Sequence, residues 1–397
     1  MCTDDRVAVT TGIARLHASP GLAGPGRLGL VTNHTGVLPG LRPAAPALLA
    51  AGVRLVALFG PEHGLHGTGQ AGESENLRRD PATGLPVHDT YRCDGARLDE
   101  LLLRSGVDAL VYDLQDIGAR FYTYVWTMFD LMVSAARTGV RFVVADRPNP
   151  LGGLVSEGPL LDPAWASFVG RAAVPVRHGL TCGELARYLN ARAIPRAAGA
   201  AVDLTVIEAV GWRRALHADA TGLPWVAPSP NVPTPATATV YPGTCLFEGT
   251  NVSEGRGTTQ PFETVGAPYV DERFAPSLAG LGLPGVRFRE LRYVPAFHKH
   301  AGRPLRGVQL HVTDRAAFAP VRTAVAMLAT LRRLYPDDFA WHPVDADTAE
   351  TGHRHFIDLL WGSDRLRRAV DAGDDPLPLC DPPAPPSRWA GDALLYS

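Results

Sequence analysis

The chain has 397 residues, 46% of them hydrophobic, enough apolar side chain for a large core and for two or three domains. Its 38 Lys+Arg nearly balance 40 Asp+Glu, which argues against a nucleic-acid partner. No run reaches the roughly 18 apolar residues that a membrane span needs. In chain order, residues 1–12 (MCTDDRVAVTTG) carry neither a basic n-region nor an apolar h-region, so a cytoplasmic location is expected. Residues 27–32 (RLGLVT) read as a strand ending in Asn33-His34-Thr35-Gly36, and 43–51 as a helix. Residues 53–59 (VRLVALF) form a second buried strand, closed by Gly-Pro. A helix over 96–104, a strand over 109–113 (ALVYD), a helix over 127–137 and a strand over 141–145 (RFVVA) follow. Thr181 as N-cap with Glu184 three residues on is a capping box that opens a helix over 181–192, and 202–208 is a further strand.

Strands alternating with helices predict an α/β fold, a Rossmann-like doubly wound parallel sheet covered on both faces. No GxGxxG joins a strand to a helix and no Walker A sequence occurs, so neither NAD nor ATP is inferred and no cofactor is expected. Residues 228–235 (PSPNVPTP) exclude a helix or a central strand. Beyond them, strands over 286–294 and 307–313, a long helix over 316–334 and terminal helices over 357–360 and 364–371 predict a smaller α+β domain. The division is therefore 1–235 and 236–397, with the active-site cleft between the two. Residues 376–386 read as a proline-rich connector. The five cysteines (Cys2, Cys93, Cys182, Cys245, Cys380) are odd in number and lack a CxxC pair, so neither a disulfide framework nor a cysteine zinc site is expected.

Chemistry-bearing residues cluster after the strands. Glu62 and His63 sit in FGPEHGLHG (59–67), just past a strand's carboxyl end, where open α/β sheets bind ligands. Asn33 follows the first strand. Asp113, Gln115, Asp116, Arg120 and Tyr122 follow the third, and Asp146, Arg147 and Asn149 the fourth. Two carboxylates in one cleft suit glycoside hydrolysis, one protonating the leaving oxygen and the other ionised. Arginines suit an anionic group on the ligand, and Phe121, Tyr122, Tyr124 and Trp126 suit a sugar face or core packing. Residues 241–263, with Glu248, Glu254, Arg256 and Glu263 among many glycines, read as a loop and short-helix element reaching over the cleft. His63 and His66 form an HxxH, but Pro61, Gly64 and Gly67 oppose the helix that a zinc HExxH needs, so no metal site is assigned. His298, His300, His311, His342, His353 and His355 show no tight metal spacing and read as surface or hydrogen-bonded histidines.

With these blocks the sequence resembles the NamZ-type exo-β-N-acetylmuramidases. The resemblance runs through GLVTNHTGV (29–37), FGPEHGLHG (59–67), DLQDIGARFYTYVWTM (113–128), DRPNPLGG (146–153), EGP (157–159), PVRHGLTCGELA (175–186), PSPNVPT (228–234), YPGTCLFEGTNVSEGRGT (241–258) and GVQLHVTD (307–314). It implies a Rossmann-like domain plus a smaller C-terminal one. It also implies removal of a non-reducing terminal N-acetylmuramic acid from peptidoglycan fragments such as MurNAc–GlcNAc, with Glu62 of PEHG as the catalytic glutamate. The residues themselves put forward Asp116 as its partner with His63 in support, and Asp113, Glu254 and Glu263 as alternatives. Asn33, Arg120, Tyr122, Arg147, Asn149, His178, Asn231, Glu254 and Arg256 are the candidate substrate contacts. The competing readings are a metal-dependent hydrolase or amidase working through His63 and His66, and a non-catalytic muropeptide-binding protein.

Overall fold

The computed structural model describes residues 8–344, 352–381 and 384–397. In chain order the first half runs α1 (Gly12–Ala18), β1 (Leu28–Thr32), α2 (Ala44–Ala50), β2 (Leu55–Gly60), β3 (Val87–Asp89), α3 (Gly95–Ser105), β4 (Ala109–Asp113), α4 (Tyr124–Thr138) and β5 (Arg141–Ala145). A hairpin of β6 (Glu157–Leu160) and β7 (Pro175–Arg177) follows, then α5 (Cys182–Arg192), α6 (Ile194–Ala198) and β8 (Leu204–Ile207). Six strands make one parallel sheet in the order β3-β2-β1-β4-β5-β8. This is the expected doubly wound sheet, and its order reverses between β1 and β4.

Strand periodicity explains why both faces are covered. Leu110 and Tyr112 of β4, with Phe142 and Val144 of β5, face the core shared with α3, α4 and α5. Their neighbours Ala109, Val111, Val143 and Ala145 face the core shared with α1 and α2. A strand buried on both sides must read as a continuous apolar run, which is why these strands were legible. The capping box of α5 is present: Glu184 N donates to Thr181 Oγ1 at 3.2 Å, and Thr181 N donates to Glu184 Oε2 at 3.1 Å.

The second half begins with α7 (Pro235–Thr244), where Thr234 Oγ1 caps the helix by accepting from Thr237 N at 3.1 Å. Its last residues fall in the stretch read as a loop and short-helix element. Its Thr and Val residues are poor helix formers, and packing overrides them. Gly243 permits that packing, since a Cβ there would stand 1.9 Å from Pro320 O. Then come β9 (Thr264–Ala267), α8 (Phe274–Ala279), β10 (Val286–Tyr293), β11 (Leu305–Val312), α9 (Pro320–Leu334), α10 (Phe356–Trp361), α11 (Arg365–Ala372) and α12 (Pro386–Trp389). The antiparallel sheet β10-β11-β9 packs against α7 and α8, and α9 packs on those two helices.

The chain end returns to the first half. Tyr396 donates its hydroxyl hydrogen to Asp146 Oδ2 at 2.6 Å, Leu395 N donates to Glu184 Oε1 at 2.9 Å, and Arg214 N donates to Ser397 O at 2.9 Å. Residues 382 and 383 of the proposed connector lie outside the described residues, as does Cys2. Cys93, Cys182, Cys245 and Cys380 are buried free thiols. Among the described residues no helix is long and apolar enough to cross a membrane.

Candidate active site

The loop after β2 is built around Glu62. His63 adopts φ +70° and Gly64 φ +81°. A Cβ on Gly64 would stand 2.2 Å from Glu75 Cγ, so only glycine fits both the space and the left-handed turn. Glu75 in turn accepts from His66 N (3.1 Å), Thr68 N (3.1 Å) and Thr68 Oγ1 (2.7 Å). Burial opposes its charge, but the Thr68 hydroxyl and the two amides outweigh burial and hold the carboxyl below its ordinary value.

On that loop Glu62 Oε1 accepts from Gly72 N at 2.7 Å, and Oε2 accepts from the hydroxyl of Thr123, the N-cap residue of α4. Tyr91 stands beside Glu62, and burial together with the Glu62 charge pushes its phenol up to about 12. Tyr91 is delivered by the turn after β3, where Thr90 N and Oγ1 both donate to Gly60 O, at 2.9 and 2.8 Å. His63 Nδ1 lies 2.9 Å from Gly69 O and 3.1 Å from Gln70 O, so that nitrogen is a donor.

Glu62 and His63 open onto a cleft of about 470 Å³. Phe121, Tyr122 and Ser229 line it from the first half of the chain, and Tyr241, Glu248, Arg256, His298 and Lys299 from the second. The rings of Tyr122, Tyr241 and Phe262 pack edge to face, with centroids 5.8 and 4.6 Å apart. On the second wall Arg256 meets Glu248 Oε1 through Nη2 at 2.5 Å and through Nε at 3.2 Å. Glu254 lies behind them, fully buried. It is 3.4 Å from Arg256 Nε, 3.2 Å from His298 Nδ1 and 3.0 Å from Lys299 Nζ. Burial alone would raise the Glu254 carboxyl; Lys299, His298 and Arg256 outweigh it and hold the group well below the carboxylate range.

The structure brings Glu62, His63, Tyr122 and Arg256 to one cleft. It places the other expected residues elsewhere. Asp116 is buried off the cleft. Its Oδ2 accepts from Gly118 N at 2.7 Å and stands 3.2 Å from Nε2 of fully buried His178. Leu180 N donates to His178 Nδ1 at 3.1 Å, so Nε2 carries the proton, and it stands close to Asp116 without completing a hydrogen bond to it. Arg120 is fully buried, donating to Pro159 O (2.8 Å), Val174 O (2.7 Å), Leu360 O (2.9 Å) and Trp361 O (2.7 Å), so it is not a substrate contact. Arg147 grips Asp113 through Nε at 2.6 Å and Nη2 at 3.1 Å, which removes both from the cleft. Asn33 donates to Tyr124 Oη at 2.9 Å and accepts from Thr35 N at 2.9 Å. Asn149 donates to Leu180 O at 2.9 Å and accepts from Leu151 N at 2.9 Å, while Asn231 is buried outside the cleft lining. Glu263 accepts from Thr237 Oγ1 at 2.6 Å and lines a different hollow. Tyr124 and Trp126 are core residues, whereas Phe121 and Tyr122 face the cleft.

Tyr91, Thr123, His298 and Lys299 escaped the sequence reading as site residues, and Glu248 was named only as part of the block over 241–263 that reaches over the cleft. One signal was available: Lys299 is the chain's only lysine, every other one of its 38 basic residues being arginine. His63 Nδ1 is taken by carbonyls, and His66 stands 3.2 Å from Glu75 and 3.7 Å from Asp80. Among the described residues no group of three His, Cys, Asp or Glu side chains is placed to hold a metal ion.

A doubly wound sheet with a buried carboxylate at its carboxyl rim, and a second domain closing the cleft over it, defines a two-domain α/β enzyme. The chain belongs to the exo-β-N-acetylmuramidase NamZ family, whose N-terminal profile matches residues 28–236 and whose C-terminal profile matches 239–381. It is 46% identical over 349 residues to the peptidoglycan β-N-acetylmuramidase NamZ of Bacillus subtilis (strain 168), covering 87% of this chain and 80% of that relative. Two crystal structures of DUF1343 family proteins from Bacteroides fragilis share the fold. One has a TM-score of 0.81 at 33% identity, over 99% of this chain and 100% of that one. The other has a TM-score of 0.73 at 26% identity, over 98% and 99%.

Proposed function

We infer that this protein is an exo-acting β-N-acetylmuramidase that releases a non-reducing terminal N-acetylmuramic acid from peptidoglycan fragments such as MurNAc–GlcNAc, with Glu62 as its acid–base carboxylate. The observation that carries the reading is the setting of Glu62: a buried carboxylate on the cleft wall, each oxygen held by one donor, Gly72 N–H and Thr123 Oγ1–H. A carboxyl fixed in this way keeps one orientation toward a glycosidic oxygen, as proton transfer requires. The cleft of about 470 Å³ falls in the size range of small-ligand sites, and its aromatic wall suits a sugar ring. Membership of the NamZ family and the B. subtilis relative support the substrate class.

Release of p-nitrophenol from para-nitrophenyl β-MurNAc, run beside the GlcNAc analogue and with and without EDTA, tests it. Turnover of the MurNAc compound alone, insensitive to EDTA, is the expected result. Turnover abolished by chelation and restored by zinc would favour the metal-dependent reading instead.

A further inference from the structure

We propose that Glu248 is the second reacting carboxylate of this cleft and that Lys299 is the residue that positions it. The proposal deepens the glycosidase reading and rests on it. Glycoside hydrolysis calls for a second carboxylate across the ring from the acid–base group. Each carboxylate that the sequence put forward for this lies off the cleft lining: Asp116 is buried and accepts from Gly118 N, Asp113 is gripped by Arg147, Glu263 accepts from Thr237, and Glu254 sits among the cations behind the wall. Glu248 is the carboxylate that lines the cleft together with Glu62, and it comes from the second half of the chain, whereas Glu62 comes from the first.

Its setting is a ladder of alternating charge. Both Arg256 contacts fall on Glu248 Oε1. Arg256 leans back on Glu254, and Glu254 on Lys299 and His298. Lys299 also pins the backbone around Glu248, since Nζ donates to Phe247 O at 2.8 Å and Val252 O at 3.1 Å and lies 3.5 Å from Glu248 O. Its three N–H donors point in three directions, toward two carbonyls and one carboxylate. A planar guanidinium fork cannot reproduce that arrangement, which accounts for lysine at this one position of an otherwise arginine-only chain.

In the reaction the glycosidic C1–O bond breaks as the leaving oxygen takes the proton of Glu62. The Glu248 carboxylate opposes the positive charge that develops at C1 and the ring oxygen. Water then bonds to C1 through its oxygen and returns a proton to Glu62, so the net change is addition of one water.

The test is steady-state kinetics of the full chain on para-nitrophenyl β-MurNAc for the wild type, Glu248→Gln, Glu248→Asp, Lys299→Met and Lys299→Arg, with thermal unfolding of each. Glu248→Gln is expected to lower kcat by about 10³-fold with little change in KM, the signature of an interaction made in the transition state. Glu248→Asp covers the case in which the amide variant does not fold, and is expected to lose at least tenfold. Lys299→Met and Lys299→Arg are both expected to lower kcat more than tenfold at temperatures where the variants remain folded. Retention of kcat within threefold by the Glu248 variants overturns the proposal. A Lys299 variant that loses thermal stability alone, with kcat kept, overturns the positioning role. A wild type inert on the MurNAc glycoside would instead overturn the glycosidase reading, and this proposal with it.

Discussion

Thr123 donates its hydroxyl hydrogen to Oε2 of Glu62, tying the N-cap of α4 to a loop that leaves a different strand 61 residues earlier. Glu62→Gln is expected to lower kcat/KM on a MurNAc glycoside by about 10²–10⁴-fold, the usual span of an acid–base group. Thr123→Ala, which frees one oxygen of the same carboxylate, is expected to cost about tenfold, chiefly in kcat. Equal activity of wild type and Glu62→Gln would remove Glu62 from the mechanism.

Arg120 ties the β6–β7 hairpin to α10 through four carbonyls, and its chemistry is that of a clamp between the halves of the chain. Arg120→Met is expected to destabilise the protein by about 3 kcal/mol or more, because buried carbonyls lose their charged donor. Chemical unfolding measures this. A loss under about 1 kcal/mol would contradict the clamp.

Gly64 and Gly84 both hold positive φ, +81° and +71°, but only at Gly64 would a Cβ meet another residue. Alanine at either is expected to cost about 1 kcal/mol of backbone strain. Only Gly64→Ala displaces Glu75 and with it the Glu62 loop, so only Gly64→Ala should lose most turnover. Comparable kinetics for the two variants would show that the loop tolerates the clash.

Asp146 is fully buried, and burial raises its carboxyl to about 6 despite donors from Tyr396, Thr181 and Gly183. In the unfolded chain the same group titrates near 3.9, so between about pH 4 and 6 the folded state binds more protons. Its contribution to stability is present in full below about pH 4 and is lost as pH rises to about 6, up to ~3 kcal/mol. Urea midpoints of wild type and Asp146→Asn across pH 4–7 should differ by an amount that drifts against the wild type as pH rises. A pH-independent difference would show that Asp146 does not titrate in this window.

The main strands were legible because each is buried on both faces and reads as an apolar run; β4 (ALVYD) and β5 (RFVVA) are the clearest. The three residues of β3, VHD, carry no such pattern, although the turn after it delivers Tyr91 to Glu62. Arg120 and Arg147 were misplaced for a different reason. An arginine at a strand end reads alike whether it meets a ligand, a buried carboxylate or four carbonyls, and the partners of Arg120 at Leu360 and Trp361 lie about 240 residues away.

The sequence by itself determined the doubly wound sheet, the capped α5 and the carboxylate in PEHG, because each rests on local periodicity or on a motif within a few residues. Only the tertiary structure decided which charged groups face the cleft. Asp116, Arg120 and Arg147 carry the right chemistry but turn inward to satisfy buried partners, and Glu248 and Lys299 come to the cleft from the second half of the chain. The reason is physical: a buried charge must be paired, and its partner comes from whichever segment the packing brings alongside, at a separation along the chain that local patterns do not encode.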